Sequence, residues 1–202
     1  MHKAELLKNN PMHGGNLRAF SERFQVAESD IVDFSSNVNP LALPKSVLEV
    51  YANCSNLLNV YPDPDAYIFR EEITRHYPVH ASNVLPGNGA ISLIGLAVRA
   101  LAPQRAMLVE PCFTEYRPVL ELQPAEVVPI CMKEENNFAF PLQDILQELP
   151  SAELLILGHP NSPTGTALAK EDLLELLAYA KQQSVFVILD EAFADWCPEI
   201  SV

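Results

Sequence analysis

Apolar residues along this chain fall into two kinds of run. Four runs have strand length: Ala106-Met107-Leu108-Val109, Glu126 to Ile130, Leu154-Leu155-Ile156-Leu157, and Val185-Phe186-Val187-Ile188-Leu189. The last two are continuous rather than alternating, the pattern of central strands buried on both faces. Other runs have helical spacing. Ser46 can cap a helix carrying Val47, Leu48 and Val50. A second helix is predicted from about Ala66 to His76 and ends at Tyr77-Pro78, because a residue before proline avoids the helical region. Gly89 to Leu101 predicts a buried helix, with Ile91, Leu93, Ile94, Leu96, Ala97 and Val98 covering most of its circumference. Lys170 to Lys181 predicts an amphipathic helix through Leu173, Leu174, Leu176 and Leu177. Strands alternating with helices make an α/β layered sheet, and such sheets bind ligands at the carboxyl ends of their strands.

Composition narrows the function. The 202 residues are 49% hydrophobic and 19% charged, enough for one large domain, or one and a part, with a sizeable core. Thirteen Lys and Arg against 26 Asp and Glu give a net charge of −13, which repels nucleic-acid backbones and anionic lipid. No nucleic-acid or membrane partner is expected, although a locally positive pocket can still take an anionic small molecule. The most apolar stretch, Leu93 to Ala102, contains Arg99 and falls well short of the roughly 20 residues a membrane-spanning helix needs. The N-terminal segment has no apolar signal region, so a cytoplasmic location is expected. Cys54, Cys112, Cys131 and Cys197 form no CxxC pair and read as reduced thiols. His76 and His80 have the spacing of a helical metal pair, but Pro78 between them breaks the helix, and no metal is expected. His159, alone in a loop, reads as a structural hydrogen bonder. Neither a GxSxG nucleophile elbow nor a Walker A loop occurs.

The chemistry-bearing segments follow the strands. Pro111-Cys112-Phe113-Thr114-Glu115-Tyr116 comes after Glu110. Gly158-His159-Pro160-Asn161-Ser162-Pro163-Thr164-Gly165 comes after Leu157, and Asp190-Glu191-Ala192-Phe193 after Leu189. A fourth segment, Gly87-Asn88-Gly89-Ala90, opens the apolar helix. Glycines there let the backbone approach a ligand, and the free N–H groups of a helix N-terminus attract a phosphate. The same segment also reads as a tight capping turn. With Glu110 roughly twenty positions on, it keeps a dinucleotide oxidoreductase in view, although Ser92 stands where that fingerprint needs Gly or Ala. Asp190, a carboxylate ending a very apolar strand, requires a cation or a set of hydrogen bonds to meet it.

Together these segments resemble the fold-type I enzymes of pyridoxal 5′-phosphate (PLP), in the class I/II aminotransferase group. The resemblance spans His13 to Trp196, in the order GNGA, P-x-F, PNSPTG, DEAF. His13-Gly14-Gly15-Asn16, Asp33 to Leu41 and Phe193 look like the threonine-phosphate decarboxylases of cobalamin biosynthesis. Histidinol-phosphate aminotransferases are the near alternative, and a non-catalytic remnant of the fold is the contrasting one. The resemblance implies a PLP-transferase large domain with a mainly parallel mixed sheet. Residues 1–45 would form an N-terminal arm and part of a small domain, and 46–202 an incomplete large domain.

By the same resemblance, Asp190 would pair with the cofactor's pyridinium nitrogen, Phe113 would stack on its ring, and Asn88, Gly89 and Ala90 would hold its phosphate. Tyr61 would reach the phosphate in a neighbouring subunit, implying a homodimer with shared sites. His13, Asn16 and Asn37 would lie on the side of a phosphorylated amino-acid substrate. Ser162 stands where the family has the Asn that bonds the ring hydroxyl oxygen, so either Ser162 or Asn161 takes that role. The lysine that links to PLP would follow Asp190 by more than one strand. The chain ends twelve residues after Asp190, and its lysines (Lys3, Lys8, Lys45, Lys133, Lys170 and Lys181) all precede it. The chain is therefore expected to be the N-terminal part of such an enzyme, inactive alone.

Overall fold

A computed structural model describes residues 14–202, which divide into two compact units, one up to residue 86 and one at 87–202. The first unit holds α1 (Leu17–Phe24), α2 (Lys45–Asn53) and α3 (Tyr67–His76), joined by turns and short 3₁₀ segments. None of its described residues is buried. Helix α2 starts two residues earlier than the sequence indicates. Pro44 is its N-cap and Ser46 lies inside the first turn, because the fixed φ of proline already sets the entry geometry. Helix α3 matches its expected span, entered from Ala66 in a left-handed conformation.

The second unit runs α4 (Ala90–Leu101), β1 (Arg105–Glu110), α5 (Tyr116–Glu121), β2 (Glu126–Cys131), α6 (Leu142–Glu148), β3 (Leu154–Gly158), α7 (Lys170–Gln182) and β4 (Phe186–Asp190). The strands form one sheet in the order β2-β1-β3-β4, every described pair parallel. Alternation along each central strand divides the core in two. Ala106, Leu108, Leu154 and Ile156 face α4 and α5, packing with Ile94, Val98 and Leu120. Met107, Val109, Leu155 and Leu157 face α6 and α7, packing with Ile145, Leu149, Leu173 and Leu176. Helices thus cover both faces, as a parallel sheet requires.

Two expectations change. Helix α4 buries one stripe, Ile94 and Val98, while Leu96 is 55% exposed, so its apolar surface exceeds what the sheet covers. Strand β3 is buried throughout, but β4 is an edge strand among the described residues and is only half-buried, with Phe186 61% exposed. Continuous hydrophobicity alone does not separate a central strand from a partly covered edge. Pro129 sits in the other edge strand, β2, where a missing N–H is tolerated.

The burial pattern sets a stability contrast. Leu155→Ala, at a fully buried site in β3, is expected to cost about 2–5 kcal/mol. Leu174→Ala, on the exposed side of α7, should change stability by no more than about 0.5 kcal/mol. Denaturant unfolding of the two variants measures the difference.

Candidate functional site

The strand order reverses beside β1. From β1 the chain passes through α5 to β2 on one side. From β3, on the other side of β1, it passes through α7 to β4. Neighbouring loops therefore leave the carboxyl ends of β1 and β3 in opposite directions, opening a crevice of the kind that binds ligands in open α/β sheets. The segments after β1, β3 and β4 all meet there.

Asn161 bridges the crevice. Its Nδ2 donates to the Pro111 carbonyl oxygen at 2.9 Å and to Thr164 Oγ1 at 2.8 Å, and the side chain is 3% exposed. Its backbone N–H donates to the Thr166 carbonyl, and its own carbonyl accepts from the Gly165 N–H, each at 2.8 Å. Both amide protons of Asn161 are thus spent, one on the β1 loop and one on its own, leaving Oδ1 as an acceptor. Ser162 is half-buried, and its hydroxyl has no partner among the described residues. Fully buried His159 accepts the Leu168 N–H at Nε2, 3.1 Å away, and so braces the same loop.

Asp190 ends β4 opposite Gly158 in register. Its Oδ2 accepts from the Tyr116 hydroxyl at 2.7 Å, and its Oδ1 from the Ala192 N–H at 3.0 Å. These bonds answer the question raised by a carboxylate at the end of an apolar strand. Tyr116 opens α5 at 2% exposure, with its ring edge-on to Phe113 at 5.5 Å. Burial first, and then the Asp190 carboxylate, push the Tyr116 hydroxyl's pKa well above the ordinary tyrosine range. Arg117 grips Glu110 with two parallel hydrogen bonds of 2.9 Å, fixing the turn from β1 into α5.

At the start of α4 no side chain caps the first turn. Gly89 has φ +84°, and the space where a Cβ would stand is empty to 4 Å. Because only a short link joins α4 to β1, α4 runs back along the sheet and its N-terminus lies toward the carboxyl ends of the strands. Asn88, Gly89 and Ala90 are exposed there.

The remaining expected site residues lie in the first unit. His13 falls outside the described residues. Asn16 caps α1, its Oδ1 accepting the Ala19 N–H at 3.1 Å. Asn37 and Tyr61 are exposed, Tyr61 at 89%. Two segments singled out separately in the sequence prove to be packed together. The Gly15 N–H donates to Ser35 Oγ at 2.7 Å, and a Cβ on Gly14 would stand 1.9 Å from the Ser35 carbonyl oxygen. Asp33 accepts from the Ser35 hydroxyl and backbone N–H, which holds its carboxyl below the usual carboxylate range. No group of three or more metal-ligating side chains occurs among the described residues. None of their helices is long and apolar enough to cross a membrane.

Tyr116 and Gly158 lie in segments that the sequence singles out, but it gives neither of them a role. Tyr116 left a weak signal, a tyrosine at helical spacing from Val119 and Leu120. Gly158 left only its place at the end of an apolar strand.

An open parallel sheet with these loops at its strand reversal is a framework that binds ligands at its strand ends. Residues 29–201 match the family described as aminotransferase class I and II. The chain belongs to that family, whose cofactor is pyridoxal 5′-phosphate. It is 35% identical to threonine-phosphate decarboxylase from Salmonella typhimurium over 94% of its own length and 52% of that protein. It is 31% identical to a histidinol-phosphate aminotransferase from Sinorhizobium fredii over 87% of this chain and 47% of that one. The crystal structure of histidinol-phosphate aminotransferase from Clostridium acetobutylicum superposes with a TM-score of 0.75 at 28% identity, covering 82% of this chain and 48% of that one. The chain spans about half the length of these relatives.

The site's cysteine should be inert. Cys112, between Glu110 and Phe113, has its thiol pushed up to about 12 by burial, with the Glu110 charge adding to it. At pH 8 only about one part in ten thousand would be thiolate. Alkylation followed by mass spectrometry is expected to label exposed Cys131 well before Cys112.

Proposed function

We propose that the full-length protein is a PLP-dependent enzyme acting on a phosphorylated amino acid, of the threonine-phosphate decarboxylase kind. The observation that carries this reading is the Asp190 carboxylate, fixed at the crevice with each oxygen holding one hydrogen bond and keeping further lone pairs open. An anionic acceptor in that setting suits a protonated ring nitrogen. The uncapped start of α4 and the open space at Gly89 suit a phosphate. The residues present therefore fit the cofactor. When bound, it supplies an electron sink for a bond broken at the substrate Cα.

Each residue then has one task. Asp190 keeps the proton on the ring nitrogen. Phe113 lies against the ring face. Backbone N–H groups at Asn88, Gly89 and Ala90 receive the phosphate, joined by Tyr61 from a second copy of the chain in a homodimer. His13, Asn16 and Asn37 serve the substrate side, where the packing of Gly14 against Ser35 brings two of their segments together. Ser162 donates to the ring oxygen, because both protons of Asn161 are already used, on Pro111 and Thr164. The enzyme works in the cytoplasm.

A second reading, a histidinol-phosphate aminotransferase, is supported by the relative at 31% identity and the structure at 28%. Incubating the full-length protein and PLP with L-threonine phosphate separates the two. Aminopropanol phosphate and carbon dioxide are expected; amino transfer from histidinol phosphate, with no decarboxylation, would favour the second reading. Asp190→Ala should lower turnover by about a hundredfold or more while leaving the fold intact. Wild-type rates in that variant would refute its role. A polypeptide of residues 1–202, with no lysine beyond Asp190, is expected to give no product.

The division of labour in the PNSPTG loop is testable by itself. Ser162→Ala should alter the bound cofactor's absorption and leave stability within about 0.5 kcal/mol. Asn161→Ala should destabilise the protein by about 1–3 kcal/mol, since it strands the half-buried Pro111 carbonyl. The reverse pattern would assign the ring oxygen to Asn161.

A further inference from the structure

We infer that Tyr116 and Gly158 are a positioning pair for Asp190: the tyrosine hydroxyl fixes the carboxylate's rotation, and the glycine leaves room for that hydroxyl. This rests on the PLP reading of Asp190. Three observations support it. Tyr116 is 2% exposed, and its hydroxyl makes one hydrogen bond among the described residues, 2.7 Å to Asp190 Oδ2. Phenylalanine would fill the same core volume without a buried polar group, so packing alone does not account for the hydroxyl. Its partner among the described residues is the residue assigned to the cofactor.

Asp190 Oδ1, in turn, accepts the Ala192 N–H at 3.0 Å. With one bond on each oxygen the carboxylate cannot turn, and its unused lone pairs point in fixed directions. Removing the Tyr116 bond frees the carboxylate to turn and weakens its grip on a protonated ring.

The third observation is spatial. Gly158 faces Asp190 in register, and a Cβ on it would stand 3.3 Å from Tyr116 Oη and 3.4 Å from Asn161 Oδ1. The first distance is tighter than most Cβ contacts, so the hydroxyl must give by a few tenths of an ångström. Its φ is not in the left-handed region, so the position needs glycine for space rather than for backbone freedom. Gly158 therefore offers a way to displace the hydroxyl without deleting it. The hydroxyl stays a donor through the working pH range, because burial and the Asp190 charge both oppose its ionisation.

The test uses full-length Tyr116→Phe and Gly158→Ala. Three readouts are taken: the melting temperature without cofactor, the PLP dissociation constant, and the pH profile of the bound cofactor's absorption. Tyr116→Phe is expected to bind PLP about tenfold more weakly, the loss of one charge-assisted hydrogen bond, and to shift the midpoint of the spectral profile. Gly158→Ala should shift it in the same direction by less. Wild-type affinity and spectral profile in both variants would overturn the inference while leaving the PLP reading standing. So would a lowered melting temperature with no spectral shift, which marks a purely structural role. If Tyr116→Phe does not fold, Gly158→Ala decides alone, an unchanged profile counting against the pair. A wild-type protein that takes up no PLP would overturn both the inference and the reading beneath it.

Discussion

The site depends on the reversal of strand order beside β1, and on the hydrogen bond from Asn161 Nδ2 to the Pro111 carbonyl that spans it. Two loops leaving adjacent parallel strands in opposite directions expose backbone groups that neither strand can pair. One buried amide satisfies a carbonyl of the β1 loop and a hydroxyl of its own loop at once. That cross-link sets the separation of the segment bearing Phe113 and Tyr116 from the segment bearing Ser162. Asp190 is then tied to the first of these by Tyr116 and to the end of β3 by its own carbonyl, which accepts the His159 N–H at 2.9 Å. Three strand ends become one rigid surface without any helix or strand of their own.

Much of this was legible beforehand. The four apolar runs placed the strands within a residue or two, since each is short, bounded by loop residues and too apolar for the surface. The segments at their ends marked where chemistry would gather, because a carboxylate, a PNSPTG loop and a GNGA turn are each costly or odd in an ordinary loop. Illegible was anything depending on what covers what. Leu96 looked as buried as Ile94, and β4 looked as central as β3, because hydrophobicity along the chain does not record how many neighbours a face finds. Helix α2 began at Lys45 rather than after Ser46 for a similar reason, a proline setting the entry that a serine would otherwise have set.

Tyr116 illustrates a subtler limit. As a letter in the run after Glu110 it was one aromatic residue among several. Its significance is a pairing across 74 positions, made when β1 and β4 are set by β3 between them. Gly158 is similar: nothing local demands a glycine there, and the demand comes from a hydroxyl and an amide contributed by other segments. Pairwise requirements of this kind appear only once the sheet fixes which strand ends are neighbours.

The edge position of β4 has a consequence for how still the site can be. Local opening of a protein starts where backbone hydrogen bonds face solvent and apolar cover is thin. Among the described strands β4 meets both conditions, bonded on one side only and led by an exposed Phe186. Asp190 stands at its end. The group that must be held most steadily thus sits on an edge strand, tethered by Tyr116 and β3 from one flank. Whatever lies along the other flank of β4 controls more than solubility. It sets the fraction of time the carboxylate spends in register, and so couples the outer margin of the sheet to the chemistry at its centre.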